Sequence, residues 1–329
     1  MSDLLNLLWI DQDELKIPIK GIPNLGNTCY IASITQCLVR FPGIRDYVNE
    51  VKENDEPAAN DLSLRACTFR LISDYLNKRC CSEVNVSPQM KALQKATRTE
   101  SAPFTCLYQH DADEYYHKLV EKLPTEFGEY IKKTASLTVT QRSRCTRCEL
   151  VETQEKEVSQ SLSVALHGNT IENSLKNLFK TVTRSSTECT CNPTGYYKME
   201  SIGSDATKRR VVAELGFTKK VFYSCVTECS EVLYINLTRP LGLQKQVRIS
   251  KKIVIGKELL CSEEHAEQQY ELFAVVYKSG PPEAGHWWAT CKTKLNWKTF
   301  SDVSVRDASP PYDNNNLSQF VRGLFYRRL

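Results

Sequence analysis

The stretch NLGNTCYIAS, residues 24–33, places a cysteine, Cys29, directly behind a Gly-Asn-Thr turn. Beyond it, apolar residues recur at intervals of three and four, which is the pattern of an amphipathic helix. Gly26 permits a tight turn, and Asn27 and Thr28 are residue types that cap helix starts. The sequence therefore predicts a helix that begins at Cys29.

A cysteine at the first residue of a helix is a candidate nucleophile. Unpaired backbone N–H groups and the positive end of the helix dipole favour an anion there, so a thiolate at Cys29 gains stability. The alternative is a small buried hydrophobe, which is what most free cysteines are. A nucleophile also needs a base, so the choice depends on the rest of the chain.

The composition is that of an ordinary globular protein. The 329 residues are 41% hydrophobic and 25% charged, and the net charge of +4 is too small to indicate a nucleic-acid or membrane partner. We see no basic leader and no apolar run of about 18 residues, and expect neither a signal peptide nor membrane insertion. Fourteen cysteines in such a chain predict reduced thiols in the cytoplasm, with the nucleus as a second location.

The order of predicted elements indicates an α+β fold. Helical spacing dominates the first part of the chain, and β-branched or alternating runs dominate from about residue 135. The predicted helices are 61–80, 87–97, 109–123 and 171–182, and the predicted strands are 136–145, 161–166, 231–237, 246–255 and 270–277. We expect one domain of catalytic size with subdomains.

A candidate base and acid lie near the end of the chain. His286 stands where a Gly- and Pro-rich turn meets the apolar run WWATC, and the run WKTFSD (297–302) ends in an acid. An early Cys, a late His and a late acid follow the chain order of papain-type cysteine proteases. Asn24 could aim its amide at the developing oxyanion. The plainer alternative for His286 is a hydrogen-bonded core histidine.

Several blocks together resemble one family, the ubiquitin-specific proteases. They occur in the family's order and cover residues 21 to about 302. The blocks are GIPNLGNTCYIASITQCL (21–38), similar to the Cys box; QHDADEYYHKLVEKL (109–123), similar to the Gln-Gln-Asp-Ala-x-Glu-Phe helix; CTRC (145–148), half of a finger pair; LYINLTRP (233–240); and YELFAVVYKSG with GHWWA (270–289), followed by WKTFSD, similar to the His box.

The resemblance implies a right-hand, papain-like fold with a helical thumb, an antiparallel β palm and β fingers. It implies an N-terminal extension (1–19) and a catalytic domain (20–329), divided into thumb (20–135), fingers with part of the palm (136–245) and palm (246–329). It implies thiol-dependent hydrolysis of the isopeptide bond after the C-terminal Gly-Gly of ubiquitin or a ubiquitin-like protein. Catalysis would need no cofactor.

The resemblance also implies roles for single residues. Cys29 would be the nucleophile, His286 the base and Asn24 the oxyanion donor. The acidic helix, with Gln109, Asp111 and Glu114, would hold the modifier's arginine-containing tail, because carboxylates in a cleft attract a basic peptide. The alternative for the two carboxylates is a solvated helix face.

Three residues depart from the family pattern. Ser301 stands where the third triad member is usually Asp or Asn, and Asp302 follows it. Serine carries no charge to stabilise an imidazolium, so we expect Asp302 to orient His286. Trp287 replaces the usual Tyr, and Lys278 stands where a His is common. These changes leave room for reduced activity.

The finger motif is incomplete. Four thiolates, Cys145, Cys148, Cys189 and Cys191, could bind a structural zinc tetrahedrally, although Cys-x-Cys is an uncommon bite. We expect a metal-free finger, with zinc as the alternative.

Finer features lean towards the interferon-induced branch of the family, which removes a modifier made of two fused ubiquitin-like folds. They are the YELFAVV strand, the Cys-x-Cys remnant and the short N-terminal extension. The rival hypothesis is a weak or inactive enzyme that binds a modifier or acts as an interferon-signalling scaffold. We expect a monomer whose partners are ubiquitin or a ubiquitin-like protein and its conjugates.

Overall fold

The computed structural model describes most of the chain in separate ranges. They are residues 17–54, 57–58, 60–61, 64–77, 109–122, 127–146, 149, 151–180, 182–186, 218–239, 245–256, 259–260, 267–281, 284–294 and 296–329. The predicted helix 87–97 lies outside these residues. In the described part of the chain, no helix is long and apolar enough to cross a membrane.

Helices dominate the first part of the chain and strands the second, as the sequence predicts. The helices are α1 (Cys29–Leu38), α2 (Ile44–Asn54), α3 (Leu64–Asn77), α4 (Ala112–Lys122), α5 (Phe127–Ala135) and α6 (Ile171–Leu178). The strands are β1 (Leu137–Cys145), β2 (Val151–Ser159), β3 (Leu162–Ala165), β4 (Val182–Ser186), β5 (Thr218–Glu228), β6 (Val232–Thr238), β7 (Lys252–Ile255), β8 (Gln268–Ser279), β9 (His286–Lys292), β10 (Trp297–Ser301), β11 (Ser304–Ala308) and β12 (Val321–Arg328).

The predicted elements differ from the observed ones mainly at their ends. The sequence predicts one strand over 246–255, but only β7 at its end joins a ladder, with β8, and Arg248 makes a single bridge to Thr170. Before β7, Val247 and Ile249 are buried without joining a ladder. Alternating apolar residues therefore marked burial there rather than strand pairing, which depends on a neighbouring strand.

An eight-stranded sheet carries the late part of the chain. Its order is β11-β10-β9-β8-β12-β6-β3, with β7 paired to β8. The ladders are antiparallel except for β3, which runs parallel to β6. A second, four-stranded sheet has the order β2-β1-β5-β4. The described helices and sheets thus form an α+β architecture.

Helix α1 is the centre of one of two hydrophobic cores. All ten of its residues are buried, and it packs on β9. The first core joins α1 and its neighbouring helices to one face of the large sheet, and the second covers the opposite face. Neighbouring side chains of a strand therefore enter different cores, as Val275 and Val276 do.

Phe325, on β12, ties strands and helices together in the first core. Its ring is fully buried and stacks on Tyr234 at 4.2 Å between ring centroids, with Phe41 and Tyr116 at its edges. We predict that Phe325→Ala lowers the free energy of unfolding by about 3 to 5 kcal/mol, the usual cost of removing a buried aromatic ring. Urea denaturation measures this, with the exposed Leu329→Ala as a control expected to change stability by less than about 0.5 kcal/mol. Equal midpoints would contradict the central place of the ring.

Candidate active site

Cys29 is the first residue of α1 and is buried, with 2% of its surface exposed. The turn before it requires positive φ angles at Gly26 (93°) and Asn27 (53°), residue types that adopt them readily. Thr28 does not cap the helix with its side chain. Its hydroxyl instead accepts a hydrogen bond from the backbone N–H of Leu25 and donates one to Asn24 Oδ1. The predicted turn and helix start are thus both present.

Two hydrogen-bond donors approach the sulfur of Cys29. The backbone N–H of Trp287 lies 3.4 Å from Sγ, and the side-chain amide of Gln109 lies 2.7 Å from it. Burial raises the pKa of the Cys29 thiol above its usual value. The two donors oppose that rise because they stabilise a thiolate, and the carboxylate of Asp302 adds to it. The resting thiol therefore needs a base to lose its proton.

His286 carries an imidazole on the residue next to Trp287, whose N–H donates to this sulfur. It is the first residue of β9 and directly precedes Trp287, so the backbone that binds Sγ also carries the imidazole. Its Nε2 lies 2.8 Å from Ser301 Oγ, and its ring stacks on Trp288 at 6.0 Å between centroids. Because Nε2 is hydrogen-bonded to Ser301, Nδ1 is the ring nitrogen that remains to accept a proton from a thiol.

The orienting contact differs from our expectation that Asp302 holds His286. Strand β10 ends at Ser301, which pairs with Ser304, so Asp302 lies in the two-residue turn between β10 and β11. Asp302 has a φ of 52°, which takes its side chain off the strand's alternation. Its Oδ2 accepts a hydrogen bond of 3.2 Å from the Asn24 amide instead. The imidazole is thus bound by serine, and the carboxylate is bound by Asn24.

Asn24 is fixed at both ends of its amide. Its Oδ1 accepts hydrogen bonds from the backbone N–H groups of Gly26 and Thr28, both at 3.1 Å, and its Nδ2 donates to Asp302. The segment before it lies against the β10–β11 turn, where Ile22 N–H donates to the carbonyl of Asp302 at 2.9 Å. A Cβ at Gly21 would collide with the backbone carbonyl of Asp302, so this approach requires glycine.

The predicted tail-binding residues lie at the start of α4. Gln109 is buried and contacts the sulfur of Cys29, a contact that the sequence did not indicate. Asp111 and Glu114 are exposed, and Asp111 Oδ1 caps the helix by accepting from the backbone N–H of Asp113 at 2.8 Å and of Glu114 at 3.4 Å. The three residues therefore lie at the same helix end, but Gln109 is buried whereas Asp111 and Glu114 are exposed.

Asp113 is a further acidic residue that sequence reasoning did not single out. It links α4 to β6, because Asn236 donates to its Oδ2 at 2.6 Å, and His117 Nε2 lies 3.6 Å from its Oδ1. Burial raises its pKa to about 6, and the charge of His117 opposes that rise. Asp113 thus ties the start of α4 to the large sheet.

The zinc prediction falls largely outside the described residues. Of the four cysteines, only Cys145 is described: it ends β1 and is buried. Cys148, Cys189 and Cys191 lie outside the described residues. Among the residues that are described, no group of three or more His, Cys, Asp or Glu side chains could hold a metal ion, so nothing here supports a structural zinc.

A buried cysteine at a helix start, with an amide at its sulfur and a histidine on the adjoining strand, is the arrangement of a papain-like cysteine hydrolase. The family model described as ubiquitin carboxyl-terminal hydrolase matches residues 20–326. The chain belongs to this family. Its fold is the α+β, papain-like fold of the family's catalytic domains.

Curated relatives match over most of the chain at low identity. "Ubiquitin carboxyl-terminal hydrolase 25" of Arabidopsis thaliana is 20% identical over 334 residues, covering 93% of this chain and 48% of that protein. "Ubiquitin carboxyl-terminal hydrolase 12" of Salmo salar is 24% identical over 322 residues, covering 87% of this chain and 80% of that protein. The chain thus spans about half the length of the Arabidopsis relative.

Solved structures match over the whole chain. The SAGA Ubp8/Sgf11/Sus1/Sgf73 DUB module bound to ubiquitin aldehyde contains a chain with a TM-score of 0.75 and 16% identity, of which 73% is covered. A structure of the same module bound to monoubiquitin gives a TM-score of 0.70 at 16% identity and 75% coverage. At such identities the likeness shows the fold.

We predict that Gln109→Ala shifts the pH profile of Cys29 alkylation to higher pH. The amide donates to the sulfur, so its loss removes a contact that stabilises the thiolate. The rate of modification by iodoacetamide, followed at Cys29 by mass spectrometry, measures the shift. Cys29→Ser shows which modified peptide contains Cys29. An unchanged pH profile in Gln109→Ala would show that the amide does not stabilise the thiolate.

Asp113 predicts a pH dependence of stability. Its pKa is higher in the folded chain (about 6) than in the unfolded chain, so the folded state binds more protons between about pH 4 and 6. The contribution of Asp113 to the free energy of unfolding therefore falls as pH rises through that window. Asp113→Asn keeps an acceptor for Asn236 without the charge, and should raise stability at pH 7.5 by on the order of 2 kcal/mol. Denaturation curves at pH 4.5 and 7.5 test this, and a parallel pH dependence in both proteins would contradict it.

Proposed function

We propose that this protein is a thiol-dependent isopeptidase that hydrolyses the bond after the C-terminal Gly-Gly of ubiquitin or a ubiquitin-like modifier. The observation that carries the proposal is the junction of α1 and β9. Cys29 Sγ accepts from the N–H of Trp287, and the preceding residue, His286, bears an imidazole bound through Nε2. Membership of the ubiquitin carboxyl-terminal hydrolase family supports the choice of substrate class.

The chemistry divides into two steps. Cys29 passes its proton to His286 Nδ1, and the thiolate attacks the carbonyl carbon of the terminal glycine. The C–N bond breaks as the imidazolium returns the proton to the leaving amine, which leaves a thioester. Water then attacks the thioester with the imidazole as base, releasing the glycine carboxylate and the Cys29 thiol.

Asn24 is suited to the oxyanion of both intermediates. A carboxamide has two N–H groups, and in this structure one hydrogen bond of Nδ2 goes to Asp302. The other N–H can donate to the oxygen that becomes negative. Because the amide is already fixed by Asp302, Gly26 and Thr28, little ordering remains to be done during the reaction. Asp302 thus acts as a positioning residue for Asn24.

The helix end at Asp111 and Glu114 is the proposed contact for a basic tail. Both carboxylates are exposed at the N-terminus of α4, two and five residues beyond Gln109 in the chain. Gln109 itself contacts Cys29, so a peptide bound along this helix end would lead to the sulfur. Opposite charge then favours arginine in the bound peptide.

The rival proposal is a protein that binds a modifier without efficient cleavage. The observation that favours it is the neutral Ser301 at the imidazole, because a serine cannot stabilise an imidazolium as a carboxylate does. The raised pKa of the Cys29 thiol, caused by burial, points the same way.

A modifier with an electrophilic C-terminus separates the two proposals. We expect a covalent adduct with wild-type protein under reducing conditions and none with Cys29→Ala, seen as a mass increase. The absence of any adduct, in protein that still binds the unmodified modifier, would establish the rival.

The identity of the modifier is a finer proposal. We propose the interferon-induced modifier of two ubiquitin-like folds as the preferred one, on the strength of the sequence features given above. Labelling rates with matched probes of ubiquitin and that modifier would decide, and a faster reaction with ubiquitin would reject the preference.

Three further points remain predictions. They are the monomeric state, the cytoplasmic and nuclear locations, and the division into thumb, fingers and palm.

Ser301 allows the orienting contact to be tested directly. We predict that Ser301→Ala lowers kcat about tenfold with little change in KM, because the imidazole loses the hydrogen bond to Nε2. Ser301→Asp should restore or exceed wild-type kcat, since a carboxylate also stabilises the imidazolium. Turnover of a ubiquitin C-terminal aminocoumarin amide measures both. Full activity in Ser301→Ala would show that the serine contact does not matter.

A further inference from the structure

The imidazole of His286 lies at one end of a row of stacked rings. The ring of Trp288 stacks on it, with 6.0 Å between the centroids and 17° between the planes. Trp288 stacks in turn on Tyr277, its cross-strand partner on β8, with 5.4 Å between the centroids and 6° between the planes. The imidazole therefore has an aromatic face beside it that a neighbouring strand keeps nearly parallel to its own plane.

The pleat of the large sheet brings these side chains to one face. His286 and Trp288 are two residues apart on β9, and side chains two residues apart in a strand point the same way. Phe300 pairs with Ala289, so Ser301 at the end of β10 lies opposite Trp288. The imidazole is thus bounded by the hydroxyl of Ser301, 2.8 Å from Nε2, and by the indole of Trp288.

The indole of Trp288 is held in place from two sides. It is partly buried at the edge of the second core, where Tyr277 stacks on it and the ring of Phe320 lies 5.9 Å away between centroids. Tyr277 is itself buried, with 2% of its surface exposed. The indole is therefore already ordered before a proton reaches His286, so little reorganisation is needed when charge forms there.

The proposed chemistry creates a cation beside this ring. Transfer of the Cys29 proton makes the imidazole of His286 positive, and the hydroxyl of Ser301 brings no charge to balance it. The face of an aromatic ring is negative, and indole attracts cations most strongly, within about 6 Å of the ring centroid. At 6.0 Å, the ring of Trp288 lies within this reach.

We infer that Trp288 is a positioning residue that holds the imidazole of His286 by stacking and stabilises its cationic form, which the neutral Ser301 does not. The inference rests on the proposed function for its role in turnover. The effect of the indole on the protonation of the imidazole does not require turnover, so the two can be tested apart.

Three titratable groups adjoin the imidazole of His286. They are the thiol of Cys29 on α1, the ammonium of Lys278 on β8 and the carboxylate of Asp302 in the turn after β10. Substitutions at Trp288 leave the identity of all three unchanged. A change in the protonation of the imidazole in such variants therefore reports the indole.

Titration of the His286 ring tests the inference without substrate. Carbon-13-labelled histidine is followed by NMR in protein that carries Cys29→Ala throughout, and His286→Gln identifies the resonance. Trp288→Leu should move the titration midpoint about half a pH unit to one pH unit lower, because the cation loses the aromatic face. Trp288→Phe, which keeps a weaker aromatic face, should move it less. Phe320→Leu removes a ring that, among the described residues, touches Trp288 but not the imidazole, and should leave the midpoint unchanged.

Turnover of a ubiquitin C-terminal aminocoumarin amide gives a second readout. Trp288→Leu should lower kcat about fivefold with little change in KM, because the imidazolium forms only after substrate is bound. In protein that carries Ser301→Asp, the same substitution should lower kcat less than about twofold, since a carboxylate then stabilises the imidazolium. A residue that only packs the core would cost the same in both backgrounds.

The outcomes separate this inference from the proposed function. An unchanged midpoint in Trp288→Leu overturns the inference, and so does an equal fall in Phe320→Leu, which would show an effect of packing alone. An equal loss of kcat with and without Ser301→Asp also overturns it. If wild-type protein neither turns over the amide nor reacts with a ubiquitin probe, the proposed function fails, and the titration still decides whether Trp288 stabilises the imidazolium.

Discussion

The backbone N–H of Trp287 and the sulfur of Cys29 form the contact on which the site depends. One partner begins a helix and the other follows the first residue of a strand, and 258 positions separate them in the chain. The contact holds because α1 is buried on every side and packs on β9, so its first residue has little freedom to move. His286, which carries the imidazole, is the residue directly before Trp287. A close-packed core thus holds the sulfur of Cys29 against the strand that carries His286.

Burial of Cys29 has two opposing effects on the stability of its thiolate. It destabilises the thiolate of Cys29 and so raises the pKa of the thiol. It also strengthens the effect of each hydrogen-bond donor near the sulfur. Trp287 and Gln109 donate to the sulfur, whereas the nearby charge of Asp302 disfavours its anion. Burial therefore favours a protonated thiol at Cys29, and the two donors favour its thiolate.

At the turn between β10 and β11, two adjacent residues contact different side chains. Ser301 completes a regular strand and faces the imidazole, whereas Asp302 has a positive φ and faces Asn24. The close approach of Gly21 and Ile22 to this turn keeps Asn24 beside it. The carboxylate that electrostatics alone would assign to the imidazole is thus bound by the Asn24 amide, and a neutral serine binds the imidazole.

The sequence by itself determined the helix start at Cys29 and the α+β order, because turn residues and periodicity are local properties of the chain. The catalytic roles of Cys29, His286 and Asn24 stay predictions. It did not determine which of Ser301 and Asp302 meets the imidazole, since that depends on where β10 ends and on the φ of one residue. It gave no sign that Gln109 touches the sulfur. Those placements arise from contacts between distant segments, and only the tertiary structure decides them, because side-chain direction follows from strand register and packing rather than from residue type.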